Sequence, residues 1–301
     1  MAAAFLALAA LVTTMEAAHL QGAAETQRAA PLAAPVQAAA WTPPPRRSRY
    51  SITIPLDPAT QGAPPPRVEG PAGRPLVVID AGHGGHDPGT ISPHDGTREK
   101  NVTLAVARRI RDALLASGRI RVALTRDDDH FLVLRERTAI ARSLGARLFI
   151  SIHADSAGEN AAGATIYTLS EVASDREAQQ LAQRENKADI LNGVNLAGED
   201  NKVTSILVDL AQRETMAASV DFAKLLRRES TGAVPFRTGG LRMAGLAVLK
   251  APDMPAVLLE LGYLSNIEDA RRIKSAEGQR AIAAGVRRAV EIHFARQLTA
   301  R

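Results

Sequence analysis

Three apolar segments of this chain lead into side chains that can bind a metal or transfer a proton. One runs into a glycine-rich loop that carries His83, and the other two end at His153 and Glu260. Short apolar runs bounded by glycine or polar residues predict buried strands. The glycines on both sides of His83 are expected to leave open space near its ring, which a metal that also holds water requires.

The residue types predict a zinc site. Zinc in hydrolytic sites takes three protein ligands and keeps a fourth position for water. His83, Glu99 and His153 would form such a set, and Glu99 opens a predicted helix, where a carboxylate is favoured. Taken alone, these residues are equally well explained as a loop histidine, a helix-terminus acid and a buried histidine. His86 and His94 are competing ligands.

Glu260 has a different predicted role. A carboxylate between two leucines of a buried strand costs desolvation energy unless it has a partner. That partner could be an arginine, a backbone group or a metal-bound water. A carboxylate near such a water can take its proton and later deliver it to a leaving amine.

Composition excludes several classes of site. The 301 residues contain no cysteine, so a cysteine zinc site, a thiol nucleophile and disulfides are excluded. Only 3% of residues are aromatic, so the core must be mostly aliphatic. The net charge of +5 suggests an anionic partner, but the basic residues are dispersed. We therefore expect no nucleic acid as a partner.

The first 74 residues are not predicted to be part of the folded domain. Residues 1–24 read as a signal peptide whose apolar run is too short to span a bilayer, so we expect no transmembrane segment in the mature protein. No Lys or Arg precedes that run, which leaves open an apolar tail or an upstream start. Residues 25–74 are an Ala/Pro-rich linker. Export is the expected outcome, and the predicted catalytic domain spans 75–297.

From residue 75 onward, predicted strands and helices alternate, which indicates an α/β sandwich with helices on both sheet faces. In such sheets, ligands bind at the carboxyl ends of strands. Residues 170–240 interrupt the alternation with a polar helix after a capping signature at 174–177 and a longer helix over 204–229. The predicted strands are 76–80, 122–125, 148–153, 164–169, 248–249 and 257–260, and the remaining predicted helices are 99–117, 134–144 and the terminal helices within 270–297.

Six motifs over about 75–297, in order, resemble the zinc-dependent N-acetylmuramoyl-L-alanine amidases of bacterial cell separation, the amidase 3 family. The motifs are Ile79-Asp80-Ala81-Gly82-His83-Gly84-Gly85, Glu99-Lys100, Thr125-Arg126-Asp127-Asp128, Leu134-Arg135-Glu136-Arg137, Ser151-Ile152-His153-Ala154-Asp155 and Leu259-Glu260-Leu261-Gly262-Tyr263-Leu264-Ser265-Asn266.

The resemblance implies a fold, a site and a substrate. The fold is a mixed sheet of about six strands with helices on both faces. The site is one Zn²⁺ held by His83, Glu99 and His153, with Glu260 as catalytic acid/base. The substrate is the amide between N-acetylmuramic acid and L-alanine in peptidoglycan, which an exported enzyme would meet in the periplasm during cell-wall remodelling and daughter-cell separation.

The resemblance also implies regulation by the inserted helices at about 174–229. In cell-division members, a helical segment covers the site until an activator with a LytM-like domain displaces it. Glu185 is the candidate autoinhibitory zinc contact, and Glu177 lies on the same predicted helix. The alternative is a packed helix pair without a regulatory role. Of the family's N-terminal targeting domain, only 51–56 resembles a strand.

Two other functions stay open. A zinc peptidase or carboxypeptidase acting on peptide stems could use the same ligands, because a metal polarises any amide carbonyl. An inactive peptidoglycan-binding or activator module would be marked by loss of a ligand or of Glu260, and none of these residues is lost here.

Overall fold

The structure is a computed structural model and describes residues 65–157, 161–190 and 202–299. The predicted signal peptide, the linker up to residue 64 and the strand-like segment 51–56 lie outside the described residues. The predicted domain boundaries therefore remain predictions. None of the helices in the described part of the chain has the length and apolar character that crossing a membrane requires.

One mixed sheet organises the fold, in the spatial order β2-β1-β3-β6-β4-β5. β4 runs antiparallel to β6, and the other neighbouring pairs are parallel. The predicted mixed sheet of six strands is thereby confirmed. Its strands are β1 (Leu76–Ala81), β2 (Arg121–Leu124), β3 (Leu148–His153), β4 (Ala164–Leu169), β5 (Phe236–Ala244) and β6 (Ala256–Glu260).

Helices cover both faces of this sheet. Alternating residues of β1 show why: Val77 and Ile79 pack into the cluster that contains α1, α4, α5 and α6, whereas Leu76 and Val78 pack into the cluster that contains α2 and α3. Both faces of the central strands are buried, as continuous apolar runs predict. The helices are α1 (Glu99–Leu115), α2 (Leu134–Ser143), α3 (Arg176–Ile190), α4 (Lys202–Ser230), α5 (Ile267–Lys274) and α6 (Ala276–Thr299).

Two sequence predictions fail in one region. The predicted strand at 248–249 is part of a 3₁₀ turn, Ala247–Leu249, while the strand β5 just before it was not predicted. β5 is an edge strand with two adjacent glycines, and most of its residues are at least partly exposed. It therefore lacks the apolar run that marks a buried strand.

The predicted helical insertion is present as α3 and α4, between β4 and β5. The two helices are attached differently. Phe222, Leu225 and Leu226 of α4 are buried in the main core cluster, so the C-terminal half of α4 is part of the sheet's packing. α3 packs in the second cluster, and its Glu185 reaches His153 at the end of β3, in the site described next.

Candidate metal centre

Three side chains from separate elements converge at the carboxyl ends of β1 and β3. His83 lies in the loop after β1, Glu99 is the first residue of α1, and His153 is the last residue of β3. One ligand atom from each lies within 4.8 Å of the other two. Glu99 Oε1 is 3.2 Å from His83 Nε2 and 3.3 Å from His153 Nδ1. The three residues that the sequence predicts as metal ligands are thus brought together.

The donor set fits a metal ion. His83 Nε2 and His153 Nδ1 are buried and have no hydrogen-bond partner among the described residues. Such orphaned nitrogens are costly unless something else satisfies them. Ligand atoms about 2.0–2.1 Å from a tetrahedral zinc ion lie about 3.3 Å apart, which is the spacing that Glu99 Oε1 has from both nitrogens here.

Neighbouring groups fix the orientation of His83. Its Nδ1 lies 2.9 Å from Asp87 Oδ2, which leaves Nε2 facing Glu99. A carboxylate behind a ligand histidine sets its tautomer and ring orientation. His83 also has a φ of 62°, a region that non-glycine residues rarely adopt. Strain of this kind clusters at functional sites, and here it is held by the surrounding contacts.

The glycines of the loop do not leave open space, contrary to the prediction. A Cβ on Gly82 would lie 2.5 Å from the His153 ring, and one on Gly89 would lie 2.7 Å from both Glu99 Oε2 and His83 Cδ2. These glycines are required because the backbone passes directly against the donor side chains. Their role is close packing of the site.

Glu99 is held as an ionised acceptor. The backbone N–H of Ala154 donates to Oε1 at 2.8 Å, and that of Thr90 donates to Oε2 at 2.9 Å. Burial alone would raise the pKa of Glu99, but the charge of the two neighbouring histidine rings holds it well below its ordinary value. An ionised carboxylate is the form that binds metal.

Two buried arginines bind the backbone of the loop that carries His83. The sequence analysis assigned them no role. Arg126 donates to the carbonyls of Ala81 and Gly82, and Arg137 donates to those of Ala81 and His83. Arg137 also pairs with buried Asp80 at 2.9 Å. Both arginines lie in motifs that carried the family resemblance, which was the signal that could have found them.

Glu260 ends β6 directly beside His153, its partner in the strand register. The backbone N–H of Asp155 donates to Oε2 at 3.1 Å, while Oε1 has no hydrogen-bond partner in the described part of the chain. The sequence left an arginine, a backbone group or a metal-bound water as possible partners of Glu260, and the structure shows a backbone group. Burial, with Asp155 and Glu99 nearby, raises the pKa of Glu260 well above its ordinary value.

Glu185 reaches the same point from α3. Its Oε2 lies 3.3 Å from His153 Nδ1 and 3.9 Å from His83 Nε2. Burial raises the pKa of Glu185, and the two histidines oppose that rise. The carboxylate that the sequence singled out as an autoinhibitory contact thus lies against the nitrogens of both histidines.

The competing histidines lie elsewhere. His86 packs its ring on Phe131, with centroids 4.5 Å apart. His94 is exposed, and a ring nitrogen lies 3.0 Å from the carbonyl oxygen of Ser265. Within the described ranges, the only group of metal-binding side chains found is His83, Glu99 and His153.

A mixed α/β sheet with a His–Glu–His donor group and a buried glutamate at its strand ends defines a candidate metal-dependent hydrolase. Residues 77–292 match the family Amidase_3, described as N-acetylmuramoyl-L-alanine amidase. The chain belongs to this family, which confirms the resemblance in its motifs.

Relatives and solved structures agree. The chain is 37% identical to N-acetylmuramoyl-L-alanine amidase AmiC of Escherichia coli O6:H1, over 79% of this chain and 57% of AmiC. It is 35% identical to AmiA of E. coli K12, over 76% of this chain and 79% of AmiA. It thus spans little more than half the length of AmiC.

Among solved structures, the catalytic domain of the amidase CwlV from Bacillus (Paenibacillus) polymyxa superposes with a TM-score of 0.53 at 28% identity, covering 73% of this chain and 98% of that domain. The amidase AmiC2 of Nostoc punctiforme gives 0.53 at 26% identity, over 74% and 98%. These matches support the α/β fold described above.

Proposed function

We propose that this chain hydrolyses the amide between N-acetylmuramic acid and L-alanine in peptidoglycan, with one zinc ion held by His83, Glu99 and His153. The observation that carries the proposal is the meeting of two unsatisfied buried imidazole nitrogens and an ionised carboxylate at zinc-ligand spacing. Family membership supplies the reaction and the substrate. When bound, zinc polarises an amide carbonyl and makes a coordinated water acidic near neutral pH.

The chain's own residues supply the rest of the chemistry. Asp87 holds the His83 ring, and the Ala154 and Thr90 N–H groups hold Glu99, so the donors are positioned before substrate arrives. Glu260 is the proposed acid/base: it takes the proton of the attacking water and gives it to the leaving amine. Its environment raises its affinity for a proton, and a divalent cation at the site would oppose that effect.

The proposal includes autoinhibition by α3. Glu185 would occupy the fourth ligand position, and a ligand within the same chain acts at high effective concentration. Polar contacts hold α3 in the closed position. The Asn186 side chain donates to the Gly245 carbonyl and accepts from the Ala247 N–H, both at 2.8 Å. Arg184 pairs with Asp155 beside the site. Activation requires a partner that binds the open form better, such as a protein with a LytM-type domain.

The remaining parts of the proposal concern location and role. The apolar leader and the Ala/Pro-rich linker support export to the periplasm, where peptidoglycan is available. Family membership supports a role in cell-wall remodelling and daughter-cell separation. A mass spectrum of native protein from a periplasmic fraction should show a mature chain that begins after about residue 24.

Product analysis tests the activity. Isolated peptidoglycan is incubated with the full chain and with its Glu185→Ala variant, with and without zinc. Free glycan strands plus intact stem peptides support the amidase. A released amino acid would identify the zinc peptidase or carboxypeptidase instead, and binding without any product would identify an inactive peptidoglycan-binding module.

A further inference from the structure

The first turn of α3 places a carboxylate in a cradle made of two arginines and a tyrosine. Arg237 Nη1 donates to Glu177 Oε1, and the Tyr263 hydroxyl lies 3.4 Å from the same oxygen. Arg242 Nη1 lies 3.0 Å from Glu177 Oε2. Arg237 also donates to the Tyr263 oxygen at 2.7 Å, with its guanidinium carbon 5.3 Å from the ring centroid. A single carboxylate thus engages two guanidinium groups.

The backbone of β5 is shaped to bring both arginines to this point. Residues five apart on a regular strand face opposite sides of the sheet. Here β4 advances from Ala164 to Ile166 while its partner β5 advances from Phe236 to Leu241, so β5 is bulged. Bulges re-aim side chains and are frequent next to active sites. As a result, Arg237 and Arg242 reach the same carboxylate.

The cradle adjoins the proposed acid/base. Tyr263 follows Glu260 by three residues. Tyr167 pairs in register with Arg242, and Thr165, two residues earlier on the same face of β4, pairs with Glu260. Burial and the Glu260 carboxylate raise the pKa of Tyr167, and Arg242 opposes that rise. The Tyr167 hydroxyl has no hydrogen-bond partner among the residues described. An unsatisfied buried hydroxyl beside a cationic cradle is a group that a ligand can satisfy.

We propose that Arg237, Arg242 and Tyr263 form a subsite for a free carboxylate on the peptide portion of the substrate. Glu177 occupies this subsite in the closed chain in place of that carboxylate. The proposal rests on the peptidoglycan amidase activity proposed above. It gives α3 two points of competition with substrate, Glu185 at the metal donors and Glu177 at the subsite.

The spacing along α3 indicates which carboxylate fits. Glu177 and Glu185 lie on one face of the helix, eight residues apart, which is about 12 Å along the axis. An extended peptide covers about 3.3–3.6 Å per residue, so the subsite would receive a carboxylate about three or four residues from the cleaved amide. That position matches an acidic side chain or the free C-terminus of a short stem peptide.

The charges around the subsite also favour replacement of Glu177 by a carboxylate of the substrate. Asp175 Oδ2 lies 3.4 Å from Arg242 Nε, so both acidic partners of the cradle come from α3 or the residue before it. Displacement of α3 removes both acids and leaves two guanidinium groups beside Glu260. Arginine forks bind carboxylates with short, charge-assisted hydrogen bonds, which makes the emptied cradle selective for an anionic group.

Peptide binding to the full chain tests the subsite directly. The background is Glu177→Gln, Glu185→Ala and Glu260→Gln, which removes both competing carboxylates of α3 and prevents turnover. A tetrapeptide stem with free carboxylates should bind about tenfold or more tightly than the same peptide with its carboxylates amidated. Restoring Glu177 should reduce this preference, a change that misfolding of the variant cannot produce.

Substitutions locate the effect. Adding Arg237→Gln or Arg242→Gln to this background should abolish the preference for the free peptide. Arg271→Gln is the matched control, because Arg271 is exposed on α5 and pairs only with Glu268 among the described contacts. Equal binding of both peptides in the background variant, or a preference that survives both arginine changes, would overturn the subsite.

Kinetics separates this proposal from the proposed activity. In a Glu177→Gln, Glu185→Ala background, Arg242→Gln should raise KM for a soluble muramyl peptide with little change in kcat, and amidated substrate should lose this dependence on Arg242. If hydrolysis is absent but the peptide preference persists, the activity fails and the subsite stands. If hydrolysis proceeds with no effect of Arg242 or amidation, the subsite fails and the activity stands.

Discussion

Two regions of the molecule deliver carboxylates to the same point and differ in how they are held. Glu99 is the first residue of α1. This helix buries Val106, Ile110 and Leu114 completely and packs against the central strands of the sheet. Glu185 comes from α3, whose buried apolar side chains in the described part are one leucine and two alanines, Ala178, Leu181 and Ala182. Glu99 is therefore fixed by a helix that packs extensively in the core, whereas Glu185 is carried by a helix with few buried apolar side chains.

The difference has an energetic meaning. Removing a buried Ile or Leu to Ala costs about 2–5 kcal/mol, so detaching α1 would cost most of a domain's stability. α3 has one buried leucine, and its other attachments include polar contacts, each of which contributes only about 0.5–1.5 kcal/mol as a net hydrogen bond. Segments of low local stability are the ones that open for regulation. This difference supports the proposal that His83, Glu99 and His153 are permanent metal ligands, whereas the contact of Glu185 with them is exchangeable.

The largest expected effect is on the permanent donors. His83→Ala should lose tightly bound zinc and reduce hydrolysis to background, a greater loss than the about 10–100-fold effect of removing a group that only orients a ligand. Metal content by elemental analysis and turnover on peptidoglycan are the measurements.

His86→Ala is the control for this change, and it should keep its zinc and its activity. A full equivalent of tight zinc in the His83→Ala protein would refute the ligand assignment. His86 would then be the first replacement ligand to test.

The next largest effect concerns Glu260, which lies beside the donors without joining them. Glu260→Gln should keep zinc and the fold, and should lose about 100–10,000-fold in kcat, because a general acid/base contributes that much. Thermal unfolding and metal analysis establish that the variant is otherwise intact. Near-normal turnover by the zinc-loaded variant would remove Glu260 from the mechanism.

A third effect falls on the support beneath the donors. Asp80 is fully buried and accepts hydrogen bonds from Arg137, Thr125 and Ser151. Asp80→Asn should lower the free energy of unfolding by about 3–5 kcal/mol, because it leaves the Arg137 charge buried without its partner. Denaturant titration measures this, and Asp253→Asn, which removes an exposed partner of Arg142, should cost about 1 kcal/mol or less.

The same residue predicts a pH dependence. Burial raises the pKa of Asp80, but Arg137 and the two hydroxyls lower it more, so the folded value lies below the unfolded one. This contribution to stability is present above the unfolded pKa of about 3.9 and is lost as pH falls through the folded value. The unfolding free energy of Asp80→Asn should therefore fall less than that of the parent below about pH 4. Equal acid sensitivity would contradict this account.

The smallest effects belong to the exchangeable contact. Glu185→Ala should raise basal activity about 10–100-fold without an activator, since a charged contact contributes about 1.5–3 kcal/mol. Asn186→Ala should raise it less, by about 3–10-fold per hydrogen bond lost. Turnover of the purified chain measures both.

Deletion of 174–200 gives the broader version of this test. Because Phe222 and its neighbours on α4 pack in the core, the deletion must stop before them. A folded, zinc-loaded deletion with no gain in activity would show that α3 is structural.

Much of the site could be predicted because its residues lie at element ends with clear patterns. β3 and β4 begin and end where predicted, and α1 begins at Glu99 as expected. Parallel strands end at a common edge, so the sequence could place His153 and Glu260 at the same edge of the sheet. That they are direct neighbours follows from the pairing of β3 with β6 in the structure. β5 escaped prediction because an exposed, bulged edge strand does not need an apolar run.

The sequence by itself determined which side chains could bind a metal and which elements carry them, because buried strands and helix starts leave local patterns. Only the tertiary structure decided that the loop glycines serve close packing, that Arg126 and Arg137 support the loop, and that Glu177 lies between two arginines. Each of these contacts joins residues that are far apart in the sequence. They form only when the folded chain brings those residues together, so no local sequence pattern can predict them.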